Sequence, residues 1–347
     1  MAKSVFIFSC KPESADLCLN ELKRSGLGLR FQHWLDPGVG LLQSKDSFAE
    51  VAAALAQAPP IFLLHLFPWE MSVPWGESRI AIPAERNSGE SSLREALEQI
   101  ASRMKQGQSF GVQLGRSPGV KMTEDPRKEI REFLSGRGFP LQQRHPDQVV
   151  TIYHTEARLC MGLSRAEQNI SSWFGGKVAY AVREDTVSRS EFKLLEAIDH
   201  FGLQLPPQGL ALDLGAAPGG WSKVALERGM RVRAVDPGEM APALQKNPLL
   251  QHYRGTAQQF LRENRERFAL LLNDMRLDVA ESVAISVDAA AHLDAGALVI
   301  MTFKLPEKQK TAIIAAGCAA LREAYTVLHR KQLYHNRSEI TVIARKE

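Results

Sequence analysis

The stretch Asp213-Leu214-Gly215-Ala216-Ala217-Pro218-Gly219-Gly220-Trp221 has the residue types of a ligand-binding turn. An apolar run, Leu210 to Leu214, leads into it, and a helix-forming run from about Gly219 to Arg228 follows. Glycine lets a backbone approach a ligand closely, and a helix start carries N–H groups without intrahelical partners. A dinucleotide fingerprint would read GxGxxG. Here Ala217 takes the place of the second glycine and Pro218 intervenes. That argues against a pyrophosphate and for a smaller ligand bearing a carboxylate. About twenty residues on, Asp236 ends the next apolar run, where a carboxylate can accept both hydroxyls of a ribose. A ligand with a carboxylate and a ribose fits S-adenosylmethionine. A glycine turn alone is a weak signal; Pro218 to Trp221 together with Asp236 make it a cofactor site.

Near the C-terminus Arg322, His329, Arg330, Lys331, His335 and Arg337 form a basic cluster. It suits phosphate binding, or equally a solvated basic face.

The elements that must carry these residues follow a rhythm. Strands are expected at Leu210 to Leu214, Arg231 to Val235, His252 to Arg254, Phe268 to Asn273 and Leu298 to Phe303. Helices are expected between them, notably Val279 to Leu293 and Lys308 to Glu323. Two β-runs, Lys331 to Tyr334 and Ile340 to Ala344, lie close enough for an antiparallel hairpin. The fold class is therefore α/β over residues 186–347. The sheet is doubly wound, seven-stranded, mostly parallel and Rossmann-like, with a terminal antiparallel strand. The first half mixes strands (Val5 to Phe8, Ile61 to Leu66, Phe110 to Leu114, Val149 to His154, Leu159 to Leu163) with helices (Ser14 to Arg24, Phe48 to Leu55, Leu93 to Met104). It reads as an α+β region over residues 1–165. Turn-rich breaks are expected at Ser88 to Ser92 and Gly115 to Gly119. The polar stretch over residues 166–185 is the linker.

Composition narrows the function classes. The chain has 347 residues, 44% hydrophobic and 24% charged, with a net charge of +4. These values suit globular domains, and the small excess of charge does not by itself point to nucleic acid. No apolar run reaches the roughly 18 residues of a membrane helix. The opening apolar run is too short for a signal-peptide core, so no membrane partner is expected and the cytoplasm is the expected location. Cys10, Cys18, Cys160 and Cys318 form no CxxC pair, so no metal site and no disulfide framework is expected.

Two segments carry a family resemblance. Ser188-Arg189-Ser190-Glu191-Phe192-Lys193-Leu194-Leu195-Glu196 resembles the segment before the first sheet strand in the FtsJ-like ribose 2′-O-methyltransferases, and Asp213 to Ser222 is similar to their cofactor loop. The resemblance implies a Lys-Asp-Lys-Glu tetrad at Lys193, Asp274 (in Asn273-Asp274-Met275), Lys304 (in Phe303-Lys304-Leu305-Pro306) and Glu339 (in Ser338-Glu339-Ile340). It implies cofactor contacts from Ser190, Asp213, Gly215, Ala217, Pro218, Gly219, Gly220, Trp221, Asp236, Thr256 and Asp274. Lys304-Leu305-Pro306, followed by Gln332-Leu333-Tyr334-His335, Arg337 and Glu339, is similar to the C-terminal signature of one bacterial branch. That branch methylates a cytidine ribose in 23S rRNA. Val5 to Leu22 is similar to its opening segment. RNA as partner and a THUMP-like RNA-binding region over residues 1–165 are implied in turn. Where that branch has an acidic residue towards the adenine, this chain has Thr256, whose hydroxyl can bond the ring amine.

The implied reaction is an in-line displacement at a sulfonium methyl by a ribose 2′-hydroxyl. Its proton must be removed, or its lone pair aimed. A lysine base must fall from about 10.4 towards 7–8, which costs roughly 4 kcal/mol. A second ammonium about 5 Å away supplies about 3 kcal/mol of that at an effective dielectric near 20. Lys304 is read as the base, helped by Lys193 and opposed by Asp274 and Glu339; the other reading is a charged steering group. Each residue also has a plainer role. Lys304 and Asp274 are then solvated strand ends, Lys193 a surface charge, Glu339 a guard on an edge strand, and Tyr334 a core ring rather than a base-stacking one. Methylation of an exocyclic amine would call for an Asn/Asp-Pro-Pro-aromatic run where Asn273-Asp274-Met275-Arg276 stands. Cytosine C5 methylation would call for a cysteine nucleophile near Asp274 or Lys304. An RNA-binding or ribosome-assembly protein with an inactive methyltransferase fold is the alternative class, and the complete tetrad speaks against it.

Overall fold

The computed structural model describes residues 3–75, 92–121, 124–142 and 144–347. The chain divides into two compact units, Met1–Lys177 and Val178–Glu347. Among the described residues, no helix is long and apolar enough to cross a membrane.

The first unit runs β1 (Ser4–Ser9), α1 (Ala15–Arg24), β2 (Arg30–Asp36), β3 (Val39–Ser44), α2 (Phe48–Gln57), β4 (His65–Pro68), β5 (Met71–Pro74), α3 (Leu93–Arg103), β6 (Phe110–Arg116), α4 (Pro126–Gly136), β7 (Gln148–His154) and β8 (Arg158–Arg165). Two four-stranded sheets result, in the orders β2-β3-β1-β4 and β5-β8-β7-β6. Pairing is antiparallel except between β6 and β7. β1 is apolar without alternation because both its faces are covered. Phe6 meets Phe48 of α2, while Ile7 joins Phe67, Tyr153 and Cys160 on the other side. Ser47 and Ser92 start α2 and α3 with reciprocal capping boxes to Glu50 and Glu95. All four cysteines are free and buried.

The expected strand at Ile61 to Leu66 is displaced. The ladder begins only at His65, because the Glu21 carboxylate accepts the N–H groups of Ile61 and Phe62 at 3.1 and 2.9 Å. Strands β2, β3 and β5 and helix α4 escaped the pattern reading. β2 has no continuous apolar face; α4 is announced by Asp125, which caps it, and Pro126. The break expected at Ser88 to Ser92 lies outside the described residues except for Ser92. That at Gly115 to Gly119 starts later, since β6 runs through Arg116.

The second unit runs α5 (Glu191–Phe201), β9 (Leu210–Leu214), α6 (Gly220–Leu226), β10 (Arg231–Val235), α7 (Pro242–Gln245), β11 (Leu250–Tyr253), α8 (Ala257–Glu263), β12 (Phe268–Asn273), α9 (Val279–Ala289), β13 (Leu293–Lys304), α10 (Lys310–Leu321), β14 (Tyr325–Lys331) and β15 (Glu339–Lys346). The sheet has seven strands in the order β11-β10-β9-β12-β13-β15-β14. From β11 to β13 the pairs are parallel; β15 is antiparallel to both its neighbours. Ala211, Leu270, Leu272, Ile300 and Ile343 pack on one face with residues of α5 and α6. On the other face α10 comes so near that a Cβ on Gly317 would sit 2.6 Å from Val279 and 2.7 Å from Phe303. The sheet is doubly wound, mostly parallel and Rossmann-like.

The penultimate strand corrects the sequence expectation. It spans Tyr325–Lys331, and residues 332–338 leave the sheet. The N–H groups of Tyr334 and His335 are taken by a buried carboxylate, Glu196, so they cannot join a ladder. β14 is an exposed edge that shows Thr326, Leu328, His329 and Arg330 to solvent, which hid its pattern.

His65 in β4 is fully buried between the rings of Phe67 and Phe174, and neither ring nitrogen has a hydrogen-bond partner. Burial pushes its imidazole down from 6.5 to about 4. Between those two pH values the unfolded chain binds a proton that the folded chain refuses, so stability falls as the pH drops. His65→Leu is expected to remove about 2–3 kcal/mol of the stability lost by the first unit between pH 7 and pH 4.5. Urea unfolding of both chains at the two pH values measures it; equal losses would contradict the assignment.

Candidate active site

Four elements deliver charge to the C-terminal end of the parallel strands, the edge where open α/β sheets bind ligands. β12 ends at Asn273, so Asp274 is the first residue beyond it. β13 ends at Lys304, and the antiparallel register sets Glu339, the first residue of β15, opposite Lys304. Lys193 stands in the first turn of α5. Lys304 Nζ lies 2.5 Å from Asp274 Oδ1 and 2.5 Å from Glu339 Oε2. Lys193 Nζ lies 3.2 Å from Asp274 Oδ2 and 2.7 Å from Glu339 Oε1. Each carboxylate thus bridges both amines, and charge alternates around a ring that is neutral in sum.

Burial works against these charges, but opposite neighbours outweigh it. Desolvation lowers the Lys193 pKa, yet Asp274 and Glu339 raise it above the usual lysine value in balance. Desolvation likewise raises that of Asp274, while Lys304, Lys193 and a 2.7 Å hydrogen bond from Thr302 Oγ1 bring it below the usual carboxylate range. The Glu339 side chain is 6% exposed and that of Lys304 is 24%, so Lys304 is the member most open to a substrate. Lys193 is expected as a second ammonium beside Lys304, with Asp274 and Glu339 in opposition, and at Lys193 that opposition prevails. A carboxylate stands on each side of it.

The glycine turn lies beside this ring. Gly215 has φ +76°, and a Cβ there would sit 2.9 Å from the Cα of Met275, the residue after Asp274. The turn therefore presses against the tetrad loop. A Cβ on Gly219 would strike Leu244 at 2.3 Å, and one on Gly220 would strike the hydroxyls of Ser188 and Ser190 at 2.3 and 2.4 Å. Close packing within the protein accounts for these glycines as fully as a ligand would. The Ala217–Pro218 peptide is cis. Asp236, half-buried, accepts from Ala217 N at 3.2 Å and from Gly238 N at 2.7 Å, tying the turn after β9 to the one after β10.

The other expected cofactor residues divide into buried and exposed ones. Asp213 is 1% exposed and accepts from Ser222 Oγ at 2.6 Å on α6. Burial pushes its carboxyl up to about 7, opposed by Ser222 and aided by the charges of Asp274 and Asp236. Trp221 is buried in the core and donates its indole N–H to Ser190 O at 2.9 Å. The Ser190 hydroxyl pairs with that of Ser188. Thr256 is exposed at the start of α8, where it caps the helix in a box with Gln259. Asp213, Trp221 and Ser190 hold the turn and the helices around it, while Gly215, Ala217 and Asp236 are half-buried and Pro218 and Thr256 are exposed.

Several supporting residues escaped the sequence reading. Thr302 sits beside Asp274 because β12 and β13 run in register, which was legible in principle. Lys223, buried in α6, meets Asp185, Glu191 and Glu227 at 3.0, 3.3 and 3.2 Å. The Glu196 carboxylate faces residues far along the chain, which no local pattern signals. Of the C-terminal basic cluster, Arg322, His329, Arg330 and Arg337 are exposed. Lys331 is buried, His329 stacks on Phe201 at 4.8 Å, and His335 lies 2.8 Å from Glu196. An apolar groove of about 980 Å³ opens beside Lys304, Leu305 and Pro306, between α9 and α10.

Residues 186–323 match the FtsJ-like methyltransferase family. The match contains Lys193, the glycine turn, Asp236, Thr256, Asp274 and Lys304; Glu339 lies beyond it. Two curated relatives are both called ribosomal RNA large subunit methyltransferase M. That of Halorhodospira halophila is 31% identical over 205 residues, 58% of this chain and 58% of its own. That of Pseudomonas aeruginosa is 32% identical over 231 residues, 63% of this chain and 64% of its own. This chain thus spans less than two thirds of the length of either relative. Among solved structures, TrmN from Thermus thermophilus aligns over 99% of this chain and 100% of its own at 16% identity. The TM-score is 0.39. Residues 186–323 of the second unit are thus similar to the FtsJ-like methyltransferases.

Proposed function

We propose that this chain methylates a ribose 2′-hydroxyl of RNA with S-adenosylmethionine, the target being a cytidine of 23S ribosomal RNA. The observation that carries the reading is the alternating ring of Lys193, Asp274, Lys304 and Glu339 beside a glycine turn at the binding edge of the sheet. The names of the two relatives support the RNA substrate. The first unit, Met1–Lys177, is assigned the task of holding RNA, on the resemblance of Val5 to Leu22. A cytoplasmic location follows from the substrate.

The residues present fit the cofactor. A carboxylate has about four acceptor positions. Asp236 uses two on Ala217 and Gly238, which leaves others for ribose hydroxyls. Gly215, Ala217 and Pro218 are the half-buried and exposed residues of the same turn, and Thr256 would meet the base. Asp213 and Trp221 support from beneath. When bound, S-adenosylmethionine supplies an electrophilic methyl group on a sulfonium whose positive charge disfavours protonation of an amine close to it.

Lys304, the most open of the four, takes the hydroxyl proton at Nζ. Asp274 and Glu339 aim that amine. Lys193 keeps its proton, since both carboxylates raise its pKa. It continues to balance them when Lys304 is neutral. A second reading is favoured by the two 2.5 Å contacts of Lys304, which suit an ammonium that steers the oxygen lone pair.

Lys304→Ala is expected to lower methyl transfer about 10²- to 10⁴-fold while leaving cofactor affinity largely intact. Near-normal turnover would reject the assignment. Lys304→Arg separates the two readings, because a guanidinium holds its charge and cannot accept the proton. Thermal melts of both variants control for the unpaired carboxylates left behind. Asp236→Ala is expected to raise the dissociation constant for S-adenosylmethionine about 10- to 100-fold, as loss of hydrogen bonds to a charged group would. An unchanged constant by calorimetry would remove the ribose role.

A further inference from the structure

Glu196 stands one turn after Lys193 on α5 and is 3% exposed. Its Oε1 accepts from Tyr334 N at 2.7 Å. Its Oε2 accepts from His335 N at 2.8 Å and lies 2.8 Å from His335 Nδ1. A carboxylate is costly to bury unless its lone pairs are used. Here both oxygens are used on a single two-residue turn. The His335 ring is also wedged against Tyr180 and Phe192, 5.5 Å from each, and those two rings stack at 5.8 Å.

This anchoring has an unusual beneficiary. Tyr334 is 39% exposed, and its only aromatic neighbour among the described residues is His335, edge-on at 5.2 Å. The backbone is fixed while the ring face stays open. The segment then runs through exposed Arg337 and Ser338 to Glu339, and Ser338 O accepts from Leu305 N at 2.8 Å, next to Lys304. A core role does not explain an open ring, and a surface accident does not explain a buried acid committed to holding it. An aromatic face on a rigid backbone is what an unpaired nucleobase stacks upon.

We propose that Tyr334 is the stacking platform for a nucleobase adjoining the reacting ribose, and that Glu196 is the positioning residue that holds it. This rests on the RNA methyltransferase reading. The test uses the full chain, an unmodified 23S rRNA transcript and labelled S-adenosylmethionine, with binding of a fluorescein-labelled single-stranded RNA dodecamer measured separately. Tyr334→Ala is expected to weaken RNA binding and raise KM for the transcript about 5- to 100-fold, with kcat, melting temperature and cofactor affinity nearly unchanged. Tyr334→Phe restores KM; Tyr334→Leu, which keeps apolar area but no aromatic face, does not. Glu196→Ala raises KM and also lowers kcat, because the same segment delivers Glu339. An unchanged KM and dodecamer affinity in Tyr334→Ala would overturn the platform, as would full rescue by leucine. If the wild type binds the dodecamer but methylates nothing, the methyl-transfer reading fails and the binding arm still judges the platform. A Tyr334→Ala variant with normal RNA affinity that no longer associates with a protein partner would point to a protein surface and overturn the proposal.

Discussion

Two amines and two carboxylates share a half-closed site, and none of them is stable there alone. Each carboxylate bridges both lysines, so the site tolerates burial only as a complete set. Removing one member of such a set leaves a charge in a poorly solvated place, which costs far more than the pair gains over apolar packing. The architecture around the site can be traced to this demand. Asp274 must follow β12, Lys304 must end β13, and Glu339 must lie across from Lys304, which requires an antiparallel strand there. α5 must then pack so that Lys193 completes the ring.

The glycine turn beside the ring is built on a different principle. Its determinants are short contacts and backbone amides rather than paired charges. Gly215 lets the turn close on Met275, and Gly220 lets α6 approach the start of α5. Asp236 joins two turns by taking an N–H from each. The two halves meet where Met275 touches Gly215, one residue from Asp274. A displacement of the glycine turn would be felt at Asp274 through that contact.

Much of this was legible in the residues. The strands Leu210–Leu214 and Phe268–Asn273 fall on their apolar runs, because buried parallel strands are apolar on both faces, while Arg231–Val235 buries Val232, Ala234 and Val235 and leaves Arg231 exposed. The four tetrad positions came from a family resemblance, and the structure brings all four together. What stayed hidden depends on partners remote in the chain. Glu196 looks like an ordinary helical glutamate until residues 334 and 335 are folded against it. The displaced strands at His65–Pro68 and Tyr325–Lys331 have the same cause, since a carboxylate elsewhere claims the N–H groups that pattern reading would give to a ladder. That Asp274 and Glu339 oppose a lowered lysine pKa is legible in the residues; that they prevail at Lys193 comes from their standing on each side of it, which no sequence reveals.

The place of β15 separates two capacities of the second unit. β9, β10 and β12 pair among themselves and with β11 and β13, and none of them touches β15 except β13. A chain in which the closing strand has not yet slid between β13 and β14 already owns its glycine turn and Asp236, but its Lys304 has no Glu339. On the roles proposed for these residues, a preparation with a frayed C-terminus would retain S-adenosylmethionine while losing methyl transfer, and cofactor retention would then be a poor gauge of competence.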